Sequence, residues 1–286
     1  MLKGGIKMRN AIKIYSIKEA IRESNNQSAE KVIPTGFDGI DRLLNGGLRP
    51  GTLNVIAARP GMGKTVLSLQ TANNIAGAGN RVVFFSCEET AADAAKRMVC
   101  LRAGVSRREY YQGNRHAAVR SAEEELSKLD LRIVSGADSV TEIYEALESI
   151  EKPDAVFIDF LQLIDPGVRV ALRKAKFDPY SAAERTAFRL KQLAREYDIP
   201  IVLTSQLSRR SSLKPQLADL RFCGNIEQHS NVAMFIHREG YSGLTGENAG
   251  NATIIVAKNY CGDCGMVELV WENNYGGFAN RQELGR

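Results

Sequence analysis

The sequence predicts an α/β fold in which helices flank a mostly parallel, twisted sheet that ends in a β-hairpin. From about residue 33 onward, short runs rich in β-branched and aromatic residues alternate with helical segments. Several of these runs are apolar throughout, as in strands that are buried on both faces. After Val232 the helical pattern stops, and two strand-like segments follow around a glycine-containing turn.

Each predicted element follows from its local pattern. The predicted strands are Leu53–Ala57, Arg81–Ser86, Leu131–Val134, Ala155–Ile158, Ile201–Thr204, Val232–Ile236, Thr253–Ala257 and Met266–Trp271. The predicted helices are Lys64–Ala78, Ala91–Ala103, Ala117–Leu129, Val140–Ile150 and Ala182–Tyr197. Ser139 and Glu142 have the spacing of a capping box at the start of the fourth helix. This alternation implies right-handed crossovers and a parallel sheet.

The composition is that of a folded globular chain. Of 286 residues, 44% are hydrophobic and 25% are charged, which excludes global disorder. The longest apolar runs are far shorter than a membrane span, and the basic N-terminus lacks the apolar core of a secretory signal, so we expect a cytoplasmic protein without membrane contact. The net charge of +5 permits a polyanionic partner without demanding one.

The length allows one large domain with an appendage. Residues 1–32 are polar, and Ile14, Ile17 and Ile21 are spaced for one face of a short helix. The segment Ser24–Ser28 is typical of a linker. We therefore predict an N-terminal arm over residues 1–32 and one domain over residues 33–286.

Residues 58–65 predict a phosphate-binding loop between a strand and a helix. They spell Ala-Arg-Pro-Gly-Met-Gly-Lys-Thr, the Walker A pattern with alanine in place of the first glycine. Glycines let successive backbone N–H groups face a phosphate at a helix N-terminus. Lys64 is expected to reach the β- and γ-phosphates of ATP, and the Thr65 hydroxyl to bind Mg²⁺. The predicted nucleotide-binding residues are Arg59, Pro60, Gly61, Met62, Gly63, Lys64, Thr65 and Val66.

Polar residues also follow three other predicted strands. Asp159 has the position of a Walker B carboxylate, which helps to hold Mg²⁺. Glu88 and Glu89 stand where a carboxylate would activate the attacking water, or they are solvated acids at a helix start. Gln206 stands where it would sense the γ-phosphate, or it is an ordinary polar residue at a strand end. The residues alone do not decide whether a glutamate activates the water or whether Gln206 senses the γ-phosphate.

Taken in order, the motifs resemble the RecA-like ATPase domain of DnaB-type replicative helicases, over about residues 33–280. The stretch at 219–228 distinguishes this family from RecA recombinases and KaiC-like ATPases, which share the phosphate loop. The matching stretches are Pro34-Thr-Gly-Phe, Gly47-Leu-Arg-Pro-Gly, Ala57-Ala-Arg-Pro-Gly-Met-Gly-Lys-Thr65, Phe85-Ser-Cys-Glu88, Ile158-Asp-Phe-Leu-Gln-Leu163, Ser205-Gln-Leu-Ser-Arg209 and Asp219-Leu-Arg-Phe-Cys-Gly-Asn-Ile-Glu-Gln228.

The resemblance implies roles for individual residues. Glu88 matches the family's catalytic glutamate, Arg97 an arginine on the following helix, and Gln206 the glutamine sensor. In the family's ring, a Lys-Gln-Arg-Asn-Gly segment of one subunit reaches the γ-phosphate bound by the next. Here Lys258 is retained, but Tyr260 stands at the arginine position. Because a phenol cannot replace a guanidinium, we expect slow hydrolysis, a trans contact by Lys258 alone, or compensation by a nearby arginine.

Two loops with basic residues are expected to face the ring's channel and to bind single-stranded DNA. One follows Walker B and the other follows the glutamine sensor. Phosphate contacts carry no base information, so we expect no sequence specificity. The alternative for each loop is an ordinary solvated surface. The predicted DNA contacts are Arg169, Arg173, Lys174, Arg209, Arg210, Arg221 and Gly224.

The five cysteines are an odd and mostly scattered set, which argues against a disulfide framework. Cys261 and Cys264 have CxxC spacing. A lone CxxC without a second ligand pair is a weak zinc or redox signal, so we expect an ordinary turn there.

The resemblance implies an ATP-dependent DNA helicase that uses Mg²⁺ and translocates on single-stranded DNA in replication. A homo-hexamer with nucleotide at the subunit interfaces is implied as well, with a loader or primase as further partners. The alternative is a helicase-related ATP-binding accessory or assembly protein with weak or no unwinding, which the short arm favours. A third hypothesis, a KaiC- or recombinase-like ATPase, lacks support from residues 219–228.

Overall fold

The computed structural model describes residues 14–26, 31–113, 116–165, 179–207, 214–223, 225–238 and 250–281. The chain forms two compact units, Met1–Lys31 and Val32–Arg286. In the first unit, helix α1 spans Ile17–Asn26 and so continues into the segment predicted as a linker. In the described part of the chain, no helix combines the length and apolarity that crossing a membrane requires.

The second unit alternates strands and helices, as the pattern predicts. Its helices are α2 (Asp38–Leu43), α3 (Lys64–Gly77), α4 (Ala91–Ala103), α5 (Arg107–Tyr111), α6 (His116–Leu126), α7 (Val140–Glu148), α8 (Pro179–Tyr197) and α9 (Ile226–His229). Its strands are β1 (Leu53–Ala58), β2 (Val82–Ser86), β3 (Leu131–Ser135), β4 (Ala155–Asp159), β5 (Ile201–Gln206), β6 (Val232–His237), β7 (Asn251–Asn259), β8 (Gly265–Glu272) and β9 (Gly277–Asn280). Short 3₁₀ helices span Leu161–Leu163 and Leu217–Cys223.

The strands form one sheet in the order β3-β2-β4-β5-β1-β6-β7-β8-β9. Pairing is parallel from β3 to β6 and antiparallel from β6 to β9. The predicted α/β fold, with a mostly parallel sheet and a C-terminal hairpin, is therefore confirmed. Strand β9 and the short helices α2, α5 and α9 were not predicted.

Helices cover both faces of the sheet. Helix α3 packs on one face, where Leu67 and Ile75 are buried. Helices α7 and α8 cover the other face, with Ile143 and Leu190 in its core. Because strand side chains alternate between faces, every residue of β1 is buried in one layer or the other.

Four neighbouring parallel strands, β2, β4, β5 and β1, end at one edge of the sheet. At the ends of these strands, Ser86 is paired with Asp159 and Ala58 with Gln206. This register brings the segments that follow the four strands to a common edge, where open parallel sheets bind their ligands.

Candidate active site

The loop between β1 and α3 has a backbone that requires glycine. Gly61 and Gly63 have φ angles of 78° and 100°, in the left-handed region. A Cβ atom on Gly63 would lie 2.9 Å from ring atoms of both Phe278 and Trp271. Helix α3 begins at Lys64, so its first N–H groups face this loop. The loop thus has the geometry of an anion-binding helix N-terminus, and it packs against aromatic rings of β8 and β9.

A cleft of about 430 Å³ opens beside this loop. Its volume lies in the range typical of small-molecule sites. It brings together nine of the predicted residues: Pro60, Gly61, Gly63, Lys64, Thr65, Val66, Glu88, Arg97 and Gln206. The predicted residues Arg59 and Met62 do not line it, and Met62 is buried beneath the loop.

The two neighbouring glutamates differ in their surroundings. Arg97 donates to Glu89 from Nε, at 3.3 Å, and also from Nη2. Glu88 is exposed at the cleft, and no hydrogen bond or ion pair engages it within the described part of the chain. The bidentate ion pair with Arg97 occupies the carboxylate of Glu89 and holds it in place. Glu88 is therefore the carboxylate that is available to a substrate.

Asp159 lies at the end of β4 and is 4% exposed. The hydroxyl of the fully buried Thr204 donates a hydrogen bond to its carboxylate. This contact orients the predicted Walker B carboxylate from behind, as partners of metal-ligating groups do. The backbone N–H of Cys87 donates to the carbonyl of Asp159. Burial raises the pKa of the Cys87 thiol to about 12, and the negative charges of Asp159 and Asp138 contribute to this increase. Cys87 therefore stays neutral beside the cleft.

Gln162 clamps the end of β5. Its Nε2 donates to the Ser205 hydroxyl at 3.1 Å and to the Gln206 carbonyl at 3.2 Å, and its Oε1 accepts from the Gln206 N–H at 3.3 Å. Sequence reasoning assigned no role to Gln162, although it lies within a stretch quoted for the resemblance. The clamp joins the segment after Walker B to the segment that carries the predicted sensor.

Other residues at the cleft had no signal in the sequence. Phe160 is one of them: Lys64 Nζ lies 5.4 Å from the centre of its ring, within the range of a cation–π contact. The lining residues that were not assigned to the site beforehand are Cys100, Leu101, Arg107, Trp271, Tyr275 and Gly276. They come from α4, α5, β8 and the β8–β9 turn, which only the folded chain brings beside the loop.

Lys258 does not lie in the cleft of its own chain. It stands on β7 opposite Ala233, near the start of β6, and therefore at the edge of the sheet away from the phosphate loop. Its Nζ donates to the carbonyl of Glu227. Burial lowers the pKa of Lys258, and the charge of Glu227 opposes this. Tyr260 is 79% exposed at the same edge.

The structure describes one of the seven predicted DNA contacts, and only its backbone. Arg169, Arg173, Lys174, Arg209, Arg210 and Gly224 lie outside the described residues. The backbone of Arg221 lies in the 3₁₀ helix Leu217–Cys223, where the side chain is not described. Cys261 and Cys264 are exposed in the turn between β7 and β8.

The chain resembles known proteins along most of its length. The family model described as DnaB-like helicase C terminal domain matches residues 32–280. The replicative DNA helicase DnaC of Bacillus subtilis (strain 168) is 31% identical over 267 residues, covering 87% of this chain and 56% of that protein. The replicative DNA helicase DnaB of Treponema pallidum (strain Nichols) is 34% identical over 265 residues, covering 89% and 57%. The chain thus spans little more than half the length of these relatives.

Solved structures are similar in fold as well. A solved ATPase domain is 27% identical with a TM-score of 0.81, covering 94% of this chain and all of that chain. A DnaB-like replicative helicase, solved to show its interactions with primase, is also 27% identical with a TM-score of 0.81, covering 94% of this chain and 69% of that chain. The predicted RecA-like fold is confirmed by these similarities.

Proposed function

The chain belongs to the family of DnaB-like helicase C-terminal domains, and we propose that it is the ATP-hydrolysing motor of a ring-forming helicase that moves along single-stranded DNA in replication. The observation that supports this most is the cleft that joins Lys64, Glu88 and Gln206 at the carboxyl edge of the sheet. A nucleotide whose phosphates lie on the loop would meet a cation, a free carboxylate and an amide in one place.

Binding rests on the loop and on Lys64. The N–H groups at the start of α3 would bind phosphate oxygens, and Lys64 would neutralise charge between the β- and γ-phosphates. The remainder of the nucleotide would extend toward Trp271 on β8 and Tyr275 in the β8–β9 turn, the aromatic residues that line the cleft.

Hydrolysis rests on Glu88. Its free carboxylate would orient a water molecule and accept its proton as the water attacks the γ-phosphate, a contribution of about 10²–10⁴-fold. Arg97 would hold Glu89 and so keep the second carboxylate away from this water.

The residues at this edge also fit Mg²⁺. The Thr65 hydroxyl and the Asp159 carboxylate are oxygen donors of the kind that Mg²⁺ takes alongside substrate phosphates. The hydrogen bond from Thr204 holds the buried carboxylate for that purpose. When bound, Mg²⁺ would neutralise charge on the β- and γ-phosphates.

Coupling to DNA would run through Gln206. A change at the γ-phosphate would alter the hydrogen bonds between the Gln206 backbone and the Gln162 side chain. Through these bonds it would change the position of the basic segments that follow β4 and β5. We propose that these segments, with Arg221 among them, bind the phosphates of a single strand. The residues 1–32 would serve as an arm outside the motor domain, and primase or a loader would be the further partners.

One observation favours a second candidate function. Tyr260 offers a phenol where the family's ring supplies a guanidinium, and it is 79% exposed. An ATP-binding accessory protein of the same family, with weak or no unwinding, would tolerate that substitution.

Mass measurement with and without ATP and a single-stranded oligonucleotide, followed by a fork-unwinding assay, tests the proposal. A hexamer that unwinds the fork with ATP supports the motor. A ring or monomer that binds ATP without unwinding supports the accessory function instead. A chain that neither binds nor hydrolyses ATP contradicts both.

A further inference from the structure

Arg107 is the first residue of α5 and lines the cleft beside the phosphate loop. The same cleft is lined by Glu88 and Glu89, which follow β2, and by Arg97 on α4. Arg107 therefore borders the space in which the proposed nucleotide would lie. It belongs to none of the motifs in the sequence, and the proposed reaction has so far given it no task.

The backbone on both sides of Arg107 is held in place. Gly104 ends α4 in the left-handed region, with a φ of 62°, and the side chain of Val105 is buried. Ser106 and Glu109 form a capping box, in which the Ser106 hydroxyl accepts from the Glu109 N–H at 3.1 Å and the Glu109 carboxylate accepts from the Ser106 N–H at 2.8 Å. The turn from α4 into α5 thus gives Arg107 a defined position at the cleft.

Tyr111, one turn further along α5, holds the side chain of Arg107. The guanidinium donates a hydrogen bond to the phenol, and this contact raises the pKa of Arg107 while burial opposes the increase. The negative charges of Glu89 and Asp93 act in the same direction as the hydrogen bond. An arginine is charged at any working pH, so these contacts decide where the charge lies. They keep it on the side of the cleft where the glutamates stand.

The two arginines of the cleft differ in their partners. Arg97 is committed to the carboxylate of Glu89 through two nitrogens. Across the residues that the structure describes, no ion pair joins Arg107 to a carboxylate. Its hydrogen bond goes to a phenol, which is neutral near pH 7, and a guanidinium has more N–H donors than this bond uses. Lys64 and Arg107 thus remain against Glu88, and the cleft lining favours an anion.

We propose that Arg107 binds the γ-phosphate of the ATP held by its own chain and supplies a guanidinium to the transition state in cis. The inference rests on the proposed function, because it adds a residue to the same cleft. A phenol at position 260 leaves three outcomes open, and this one is compensation by a nearby arginine. A guanidinium can serve phosphoryl transfer from the same chain or from a partner, and it contributes about 10³–10⁵-fold.

The role of Arg107 in the reaction is electrostatic. As the water oxygen bonds to the γ-phosphorus, the bond from that phosphorus to the bridging oxygen breaks and its electron pair leaves with ADP. Glu88 accepts the proton of the water. Arg107 stays protonated throughout and donates to the γ-phosphate oxygens, where it neutralises charge that the transition state redistributes.

Steady-state ATPase measurements test the catalytic part of the proposal. Arg107→Ala should lower kcat about tenfold or more. Arg107→Lys should recover part of the loss, since lysine keeps the charge without the fork of donors. Arg108→Ala changes the next residue of α5, which is exposed and does not line the cleft, and should keep the wild-type kcat. Equal kcat values for Arg107→Ala and Arg108→Ala would overturn the proposal.

Calorimetric titrations with ATPγS and with ADP test the contact without hydrolysis. Because only ATPγS carries a third phosphate group, Arg107→Ala should weaken its binding about threefold or more and leave the affinity for ADP at the wild-type level. An unchanged affinity for ADP also shows that the cleft of the variant is intact. Equal losses for the two ligands, or no loss for either, would overturn the contact with the γ-phosphate.

Mixed assemblies test whether Arg107 acts within its own chain. Arg107→Ala and Lys64→Ala should not complement each other, because both residues act on the same bound nucleotide. Activity of the mixture above the sum of the separate preparations would show that Arg107 serves a neighbouring chain, and the proposal would fall. A wild-type chain that binds ATPγS without hydrolysing ATP would instead overturn the proposed function, and the two affinities would then decide the contact of Arg107.

Discussion

Arg97 binds the carboxylate of Glu89 through two nitrogens, and the adjacent carboxylate of Glu88 lies exposed in the same cleft. The two side chains are chemically identical, so residue type and position alone do not rank them as catalytic bases, and in the sequence only the family resemblance favours Glu88. The ion pair distinguishes them, since a carboxylate that is committed to a guanidinium is not free to orient a water molecule. This contact supports the assignment of catalysis to Glu88.

Substitution of Gly63 should disrupt the phosphate loop. Gly63→Ala places a methyl group at a φ of 100° and 2.9 Å from two aromatic rings. Gly79→Ala is the matched control, because its φ is 86° but its added methyl group meets no atom within 4 Å. Backbone strain costs both variants about 1–2 kcal/mol, and Gly63→Ala should lose more stability and its ATP binding. Urea unfolding and ATP titration measure this, and equal behaviour of the two variants would contradict it.

The hydrogen bond from Thr204 to Asp159 should stabilise the fold more than an ordinary buried hydroxyl does. Thr204 and Thr186 are both fully buried, but Thr186 donates to the neutral carbonyl of Ile164, at 3.3 Å. Thr204→Val should cost about 1.5–3 kcal/mol and Thr186→Val about 0.5–1.5 kcal/mol. The free energy of unfolding in urea measures both, and equal costs would show that Asp159 does not depend on this partner.

Cysteine alkylation should follow burial. With a pKa of about 12, the Cys87 thiol holds a negligible thiolate fraction at pH 8, and the thiolate is the nucleophile. Exposed Cys261 and Cys264 should react with iodoacetamide in the native protein, whereas Cys87 should react only after unfolding. Mass mapping of tryptic peptides separates these sites. Native labelling of Cys87 as fast as that of Cys261 would show that the thiol beside Asp159 is accessible.

The Gln162 clamp should couple the nucleotide to DNA. Gln162→Ala removes three contacts to Ser205 and Gln206. We expect nearly unchanged ATP binding, but stimulation of ATPase activity by single-stranded DNA reduced about fivefold or more. Gln192→Ala, on exposed α8 surface, is the control for loss of an amide. If the two variants are stimulated equally, the clamp has no part in coupling.

The sequence predicts the fold well where local signals are strong. The bounds of α4 agree at both ends because Thr90 caps it and Gly104 ends it in the left-handed region. The carboxyl-edge residues were placed correctly at strand ends since apolar runs mark those strands clearly.

The remaining parts of the site depend on distant contacts. Phe278 packs on Gly63 across more than two hundred residues, and its strand, β9, has only four residues and so no clear alternation. The bond between Asn231 and Lys191 likewise joins the start of β6 to α8. No periodicity encodes such pairs, so only the folded chain reveals the contact between Lys191 and Asn231 and the aromatic residues that line the cleft.

The hydrolysis rate of Glu88→Gln, measured with ATP and single-stranded DNA beside its affinity for ATP, tests the central claim most directly. The account predicts that hydrolysis falls about 10²–10⁴-fold while ATP binding stays within a few-fold of wild type. Glu89→Gln, the matched change in the carboxylate that binds Arg97, should lose much less activity. Hydrolysis by Glu88→Gln at the wild-type rate, or a larger loss in Glu89→Gln, would contradict the assignment of this cleft as an ATPase site with Glu88 as its base.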